Sequence, residues 1–315
     1  MRTAFIVLST RCNNSCGFCF YKQHPEWRLD QSMDRVLFNK ALADLERIVV
    51  ELLILTGGEP LLTPDLIGMI SDATSMGFEV QLITNGRLLD NEKVQALAKA
   101  GLGVLILSLN DFHQPHSSIV REIPESLKER VASISSVFPG RLSLIFVFTR
   151  QTMALAQKAY ELALGMGLGI IIQPAYMAED DPDRQALSPF LAPPEEWDAL
   201  MQGLRPYFEG HGLRQYRGYI EGLYSQQTPT LPSPASGGGL GRGPAEGPAA
   251  CFMGSSGMVL DADGKIYACF HRRDLVAGRI GVDSPDRISA RLHQAHFRVR
   301  NAQCFGEHCI SMFVQ

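Results

Sequence analysis

The chain reads as an α/β protein built on a parallel sheet, and three observations predict it. Over residues 1–177, apolar runs of strand length alternate with amphipathic stretches of helix length. Within the amphipathic stretches, apolar residues such as Leu37, Ala41, Leu45 and Ile48 recur at helical spacing. The links are short, and such alternation closes through right-handed parallel crossovers.

Taken in order, the first strand is predicted over Ala4–Leu8 and runs into a polar, cysteine-bearing loop. Met33–Val49 is the first long helix. The run from Glu51 to Thr56 carries a buried strand, Leu52–Leu55, halted at Gly57-Gly58-Glu59-Pro60, where Pro60 removes a ladder donor. A helix over Pro64–Met76 stops at Gly77, and a strand follows over Glu79–Ile83. Asn91 sits near an N-cap, so Asn91–Ala100 reads as a helix that ends at Gly101. Next come a strand over Val104–Leu107, a helix over Glu125–Val137 and a strand over Leu142–Phe148. Thr152 marks the start and Gly167 the stop of a helix over Thr152–Met166, and Gly169–Gln173 is the sixth strand. In such sheets ligands gather where strands end and helices begin.

Beyond residue 177 the pattern changes. Residues 178–225 read as a helical connector. They contain an acidic run, Glu179-Asp180-Asp181-Pro182-Asp183, that lacks the spaced partners of a metal site and is expected to be an exposed turn. Pro193-Pro194-Glu195-Glu196-Trp197 opens a helix, and a second amphipathic stretch spans about Gly212 to Tyr224. Residues 226–249 are a disordered linker by composition, since 11 of these 24 residues are Gly or Pro. Residues 250–315 form a small cysteine-rich region. Met258–Leu260 and Lys265–Cys269, joined by Asp261-Ala262-Asp263-Gly264, carry a hairpin signal, and Pro285–Val299 a helix.

A net charge of −4 with both signs interspersed gives no surface for nucleic acid or an anionic membrane. The apolar run after Arg2 is too short for a signal peptide or a membrane span, so a cytoplasmic location is expected. Seven cysteines gathered at the two ends make a poor disulfide framework and a better set of metal or cluster ligands.

Three of them, Cys12, Cys16 and Cys19, stand at i, i+4 and i+7 with Asn13, Asn14, Ser15 and Gly17 between them to curl the backbone. A structural zinc site takes four ligands and closes itself. A cubane iron–sulfur cluster on three thiolates keeps one iron open. This CxxxCxΦC motif, with Phe18 as its apolar residue, together with the Gly57-Gly58-Glu59-Pro60 motif some forty residues on, resembles the radical S-adenosylmethionine (SAM) enzymes. The resemblance implies an open, partial (βα)6 TIM-like barrel, a [4Fe–4S] cluster on Cys12, Cys16 and Cys19, and SAM chelating its open iron. It places Phe18, Gly57, Gly58, Glu59, Thr84, Asn85, Ser108, Asn110 and Arg121 at the cofactor. The family more often has Asp where this chain has Asn110, and Arg121 is placed to pair with the SAM carboxylate or to remain a solvated charge. His113 and His116, in a polar loop, and Glu26, beyond the cysteine loop with Tyr21, His24 and Trp27, are the candidates for proton transfer.

The remaining cysteines, Cys251, Cys269, Cys304 and Cys309, can saturate a zinc ion or a second [4Fe–4S] cluster. The hairpin spacing resembles the shortened SPASM domain called twitch, which implies an auxiliary [4Fe–4S] cluster. Three plus four ligands use every thiol, leaving none to return a hydrogen atom as some radical SAM epimerases do, unless the auxiliary cluster is held by three cysteines. By resemblance the enzyme cleaves SAM reductively to a 5′-deoxyadenosyl radical that abstracts a substrate hydrogen, fed by a flavodoxin- or ferredoxin-type donor. The expected substrate is a ribosomally made peptide, to be cross-linked or oxidised. The alternative is dehydrogenation of a small-molecule intermediate, as in the aminoglycoside dehydrogenase of the same build. The chain starts almost directly at its first strand, which points toward the small molecule or toward a separate peptide-binding partner. A zinc-binding interaction protein without redox activity is the third reading.

Overall fold

The structure is a computed structural model that describes residues 2–29, 31–110, 122–175, 177, 181–210, 253, 255–270 and 272–301. Among the described residues, nine strands form one sheet in the order β6-β5-β4-β3-β2-β1-β7-β8-β9. The first six are β1 (Thr3–Ser9), β2 (Leu52–Gly57), β3 (Glu79–Thr84), β4 (Val104–Ser108), β5 (Leu142–Phe148) and β6 (Gly169–Pro174), and every pair among them is parallel. This is the predicted α/β partial barrel, with each strand within two residues of its expected limits. β1 is buried at all seven positions, so it lies between layers. β5 instead alternates buried and half-buried residues, which marks a face left partly open.

Helices connect the strands: α1 (Phe20–Gln23), α2 (Arg35–Arg47), α3 (Leu66–Ser75), α4 (Asn91–Lys99), α5 (Glu125–Val137) and α6 (Leu155–Gly165). Their apolar stripes bury Phe38, Ala41, Leu42 and Leu45 in α2 and Leu66, Met69, Ile70 and Ala73 in α3. Asp34 caps α2 by accepting the Leu37 amide at 2.7 Å. α4 starts at Asn91 as expected, and its cap is Asp90, which accepts from Lys93 at 2.7 Å. Thr152 belongs to a short 3-10 turn closed by a capping box with Thr149, and α6 begins after it at Leu155. The chain continues through α7 (Arg184–Leu187), α8 (Pro194–Gly203) and α9 (Arg205–Gly210). Trp197 of α8 is fully buried, and its indole donates to the Pro189 carbonyl at 3.0 Å.

The C-terminal region joins the same sheet. β7 (Gly257–Leu260) pairs parallel with β1, in register Thr3↔Gly257 to Ile6↔Leu260. β8 (Lys265–Tyr267) returns antiparallel to β7 as the hairpin signal predicts, through a turn that places Gly264 at φ +84°. A third strand, β9 (Val276–Arg279), was not evident in the sequence, and α10 (Pro285–Asn301) packs on β9 and α2. Thus β1 takes β7 on the side that a closed barrel would give to its last strand. The predicted linker, the amphipathic stretch after Gly212, and Cys251, Cys304, Cys309, His113, His116 and Arg121 lie outside the described residues.

Candidate active site

The cysteine loop leaves β1 at a change of register: Val7 pairs with Thr56, but Ser9, not Leu8, pairs with Gly57. The excursion that follows is pinned at its base. Thr10 Oγ1 donates to the Leu29 carbonyl and accepts the Leu29 amide, both at 2.8 Å, and the Met33 amide reaches the Leu8 carbonyl at 2.7 Å. Within the loop the Cys19 amide donates to the Cys16 carbonyl at 3.1 Å, and the Asn14 amide approaches Cys12 Sγ at 3.4 Å. Lys22 fixes the far side. Its Nζ lies 3.4 Å from the Gly17 carbonyl and 2.6 Å from Asp183 Oδ2, so one residue of the acidic run contacts this loop.

The loop covers a cavity of about 290 Å³ at the C-terminal ends of the strands. Cys12, Cys16, Phe18 and Cys19 line it from above, and Gly57, Gly58, Thr84, Asn85 and Ser108 from the strand ends. Nine of the residues expected at the cofactor or cluster therefore meet in one place. Asn14 and Tyr21 also border it, and Thr56, Ile83, Val147 and Gln173, which sequence reading missed, complete the wall. For these four, the strand pattern carried what signal there was: Ile83 and Val147 occupy half-buried positions between buried neighbours, and Gln173 is the one polar residue in an isoleucine-rich strand.

Gly57 and Gly58 do more than admit a ligand. A Cβ on Gly57 would fall on the Ser9 carbonyl and one on Gly58 on the Arg11 carbonyl, and Gly57 holds φ +145°. The close approach lets the Gly58 amide donate to Ser9 and the Glu59 amide to Arg11, each at 2.7 Å. These glycines thus seat the root of the cysteine loop against β2.

Glu59 is fully buried and is not among the cavity-lining residues. Its Oε1 accepts from the Thr84 hydroxyl at 2.7 Å and the Leu61 amide at 3.0 Å, and its Oε2 from the Asn85 amide at 2.8 Å. Burial pushes its carboxyl above the ordinary range, while these three donors pull the other way. Asn85, held by this tie, donates to Asn13 Oδ1 at 2.8 Å and sits 3.9 Å from Cys12 Sγ. Glu59 therefore positions the wall rather than forming it.

Asn110 is likewise committed elsewhere. Its Nδ2 donates to the Val147 carbonyl at 2.7 Å, and its Oδ1 accepts the Val147 amide at 3.0 Å and the Ser108 hydroxyl at 3.2 Å. A carboxylate could not make the first bond. The amide here thus staples the end of β4 to β5 and leaves the cavity to Ser108. Glu26 stands on an exposed 3-10 turn, 3.2 Å from His24 Nδ1, and does not line the cavity.

The donor set fits an iron–sulfur cluster. Three thiols border one cavity, and none of the other lining residues is His, Asp or Glu. Among the described residues, no three His, Cys, Asp or Glu side chains are placed to hold one metal ion. Each thiolate of a cubane binds its own iron, so such ligands surround a volume instead of converging on a point.

The chain belongs to the radical SAM superfamily, whose family model matches residues 6–163. It is similar to the PqqA peptide cyclase of Gluconobacter oxydans, at 29% identity over 186 residues, which cover 58% of this chain and 52% of that protein. It is also similar to the GTP 3′,8-cyclase of Chlorobaculum tepidum, at 35% identity over 119 residues, 37% of this chain and 35% of that one. The chain thus spans about half the length of the first of these relatives and a third of the second. Among solved structures, native anSMEcpe with bound AdoMet superposes with a TM-score of 0.64 at 17% identity, over 96% of this chain and 85% of that one. No helix among the described residues is long and apolar enough to cross a membrane.

Proposed function

We propose that this protein is a radical SAM enzyme that modifies a ribosomally made peptide, with SAM and a [4Fe–4S] cluster in the cavity beneath residues 12–19. The observation that carries the reading is the convergence of three thiols, the Gly57–Gly58 main chain and Ser108 on one cavity. Cys12, Cys16 and Cys19 would hold the cluster, whose chemistry is one-electron cleavage of SAM to a 5′-deoxyadenosyl radical. The chain's own residues do the rest. The Gly57–Gly58 main chain and the polar side chains of Thr84, Asn85 and Ser108 orient the methionine and ribose portions. Phe18, Ile83 and Val147 supply apolar wall that excludes water from a reactive centre.

A peptide substrate is favoured because the match to a protein named as a peptide cyclase extends over 58% of the chain, against 37% for the GTP cyclase. A small-molecule substrate remains the second reading. In the C-terminal region, Cys269 is buried in the segment after β8, which suits a ligand of an auxiliary cluster shared with Cys251, Cys304 and Cys309. The region from residue 250 onward would then be a cluster-bearing module built onto the edge of the barrel sheet. A flavodoxin- or ferredoxin-type donor would supply the electron.

The test is anaerobic reconstitution, followed by incubation with dithionite, SAM and candidate precursor peptides. Release of 5′-deoxyadenosine with a change in peptide mass supports the proposal. A protein that binds zinc without sulfide and leaves SAM intact refutes it.

A further inference from the structure

We infer that Asp261 and Arg273 form a positioning link through which the seating of the C-terminal hairpin sets the conformation of residues 20–28 beside the cysteine loop. The pair is buried: the two side chains are 8% and 9% exposed, and Arg273 Nη1 bonds Asp261 Oδ2. Asp261 is anchored in the β7–β8 turn, where its amide donates to the Lys265 carbonyl at 2.9 Å. Arg273 is anchored on the same hairpin, its Nε donating to the Phe270 carbonyl at 3.2 Å.

From there the guanidinium reaches out of the hairpin. It lies 4.6 Å from the ring centre of Tyr267 and 5.5 Å from that of Trp27, and its charge acts on the buried Tyr21 phenol. Trp27 stacks on His24 with ring centres 3.7 Å apart, and Tyr21 lines the cysteine cavity. One arginine therefore touches two residues of the segment that follows Cys19, and both belong to a part of the chain remote from it in sequence.

The pair is also incompletely satisfied. Among the described residues, Asp261 Oδ1 and Arg273 Nη2 are buried without a hydrogen-bond partner. A buried ion pair with leftover polar atoms is a poor source of stability, since apolar replacements commonly do as well or better. What such a pair supplies is one defined geometry, and here that geometry joins the hairpin carrying Cys269 to the wall of the cysteine cavity. The inference rests on the proposed function only in calling that cavity the cofactor site. The contacts themselves are independent of it.

Coupling of this kind is reciprocal: whatever the hairpin does to residues 20–28, they do to the hairpin by the same factor. Hydrogen exchange by mass spectrometry on the metal-free full-length chain tests both directions. The double variant Asp261→Asn with Arg273→Met leaves no buried unpaired charge. It is expected to raise exchange in residues 20–28 by about tenfold while the β2–β5 peptides keep their rates. Tyr21→Phe, which removes the phenol on which the guanidinium acts, is expected to raise exchange in residues 265–275. Wild-type rates in residues 20–28 of the double variant would overturn the link. Should that variant lose protection throughout, Tyr21→Phe decides, and unchanged rates in residues 265–275 would overturn it equally. Neither measurement involves a cluster or SAM, so failure here is distinct from failure to cleave SAM.

Discussion

Replacing Glu59 by Gln tests whether the tie beneath the cavity holds the site together. Glutamine keeps one carbonyl oxygen for Thr84 and Leu61 but turns an NH2 toward the Asn85 amide, 2.8 Å away. One charge-assisted hydrogen bond is lost, at about 1.5–3 kcal/mol, and a buried amide N–H is left facing a donor, at about 1–3 kcal/mol. The neutral side chain recovers part of this, because burial is the largest influence on Glu59 and opposes its charge. The net expectation is a loss of about 2 kcal/mol, a fall of about 0.7 M in the urea midpoint if the slope is about 3 kcal/mol/M.

The pH dependence carries the sign. Burial raises the Glu59 carboxyl in the folded state, so as pH rises through the window above the ordinary carboxylate range the folded state binds more protons than the unfolded state. Its contribution is therefore fully present below the unfolded pKa and is lost as pH climbs through the folded one. Glu59→Gln should remove that slope. Urea titrations of metal-free protein across pH 4 to 8 measure both effects. A variant with the wild-type midpoint and the wild-type pH slope would refute the role given to this carboxylate.

Three further outcomes are expected. Alanine at Cys12, Cys16 or Cys19 should abolish SAM cleavage and lower the reconstituted iron content by about one cluster, with unchanged far-UV circular dichroism. Asn110→Asp should set a carboxylate against the Val147 carbonyl and destabilise the fold by about 1–3 kcal/mol, read as a lower melting temperature in metal-free protein. Cys269→Ala should spare 5′-deoxyadenosine release but lose modified product; an unchanged product yield would show that the C-terminal region has only a structural part.

The barrel strands were legible in the sequence because short apolar runs alternate with amphipathic helical stretches, and the cysteine and glycine motifs because their spacing is local. What escaped was set by distant packing. β9 is four residues long and includes Gly278, too little for a period to show. The parallel seat of β7 on β1 joins residues some 250 positions apart in the chain, and no local pattern encodes a partner that far away. At the site, Glu59 and Asn110 were placed at the cofactor on the strength of their motifs. Their burial and committed hydrogen bonds set them behind the residues that line the cavity, a distinction that only side-chain geometry makes. Val147 and Gln173 were hidden by lying on strands without a motif at their ends.

The seat of β7 on β1 also has a bearing on synthesis. As the chain leaves the ribosome, its first strand can find β2 early, but its other flank waits until residue 260 has emerged. Through all that time the strand that launches the cysteines offers a bare row of amides and carbonyls to any passing neighbour. Protection of that flank is thereby tied to the emergence of residues 257–260, and a nascent chain stalled before β7 would be an exposed template for mispairing.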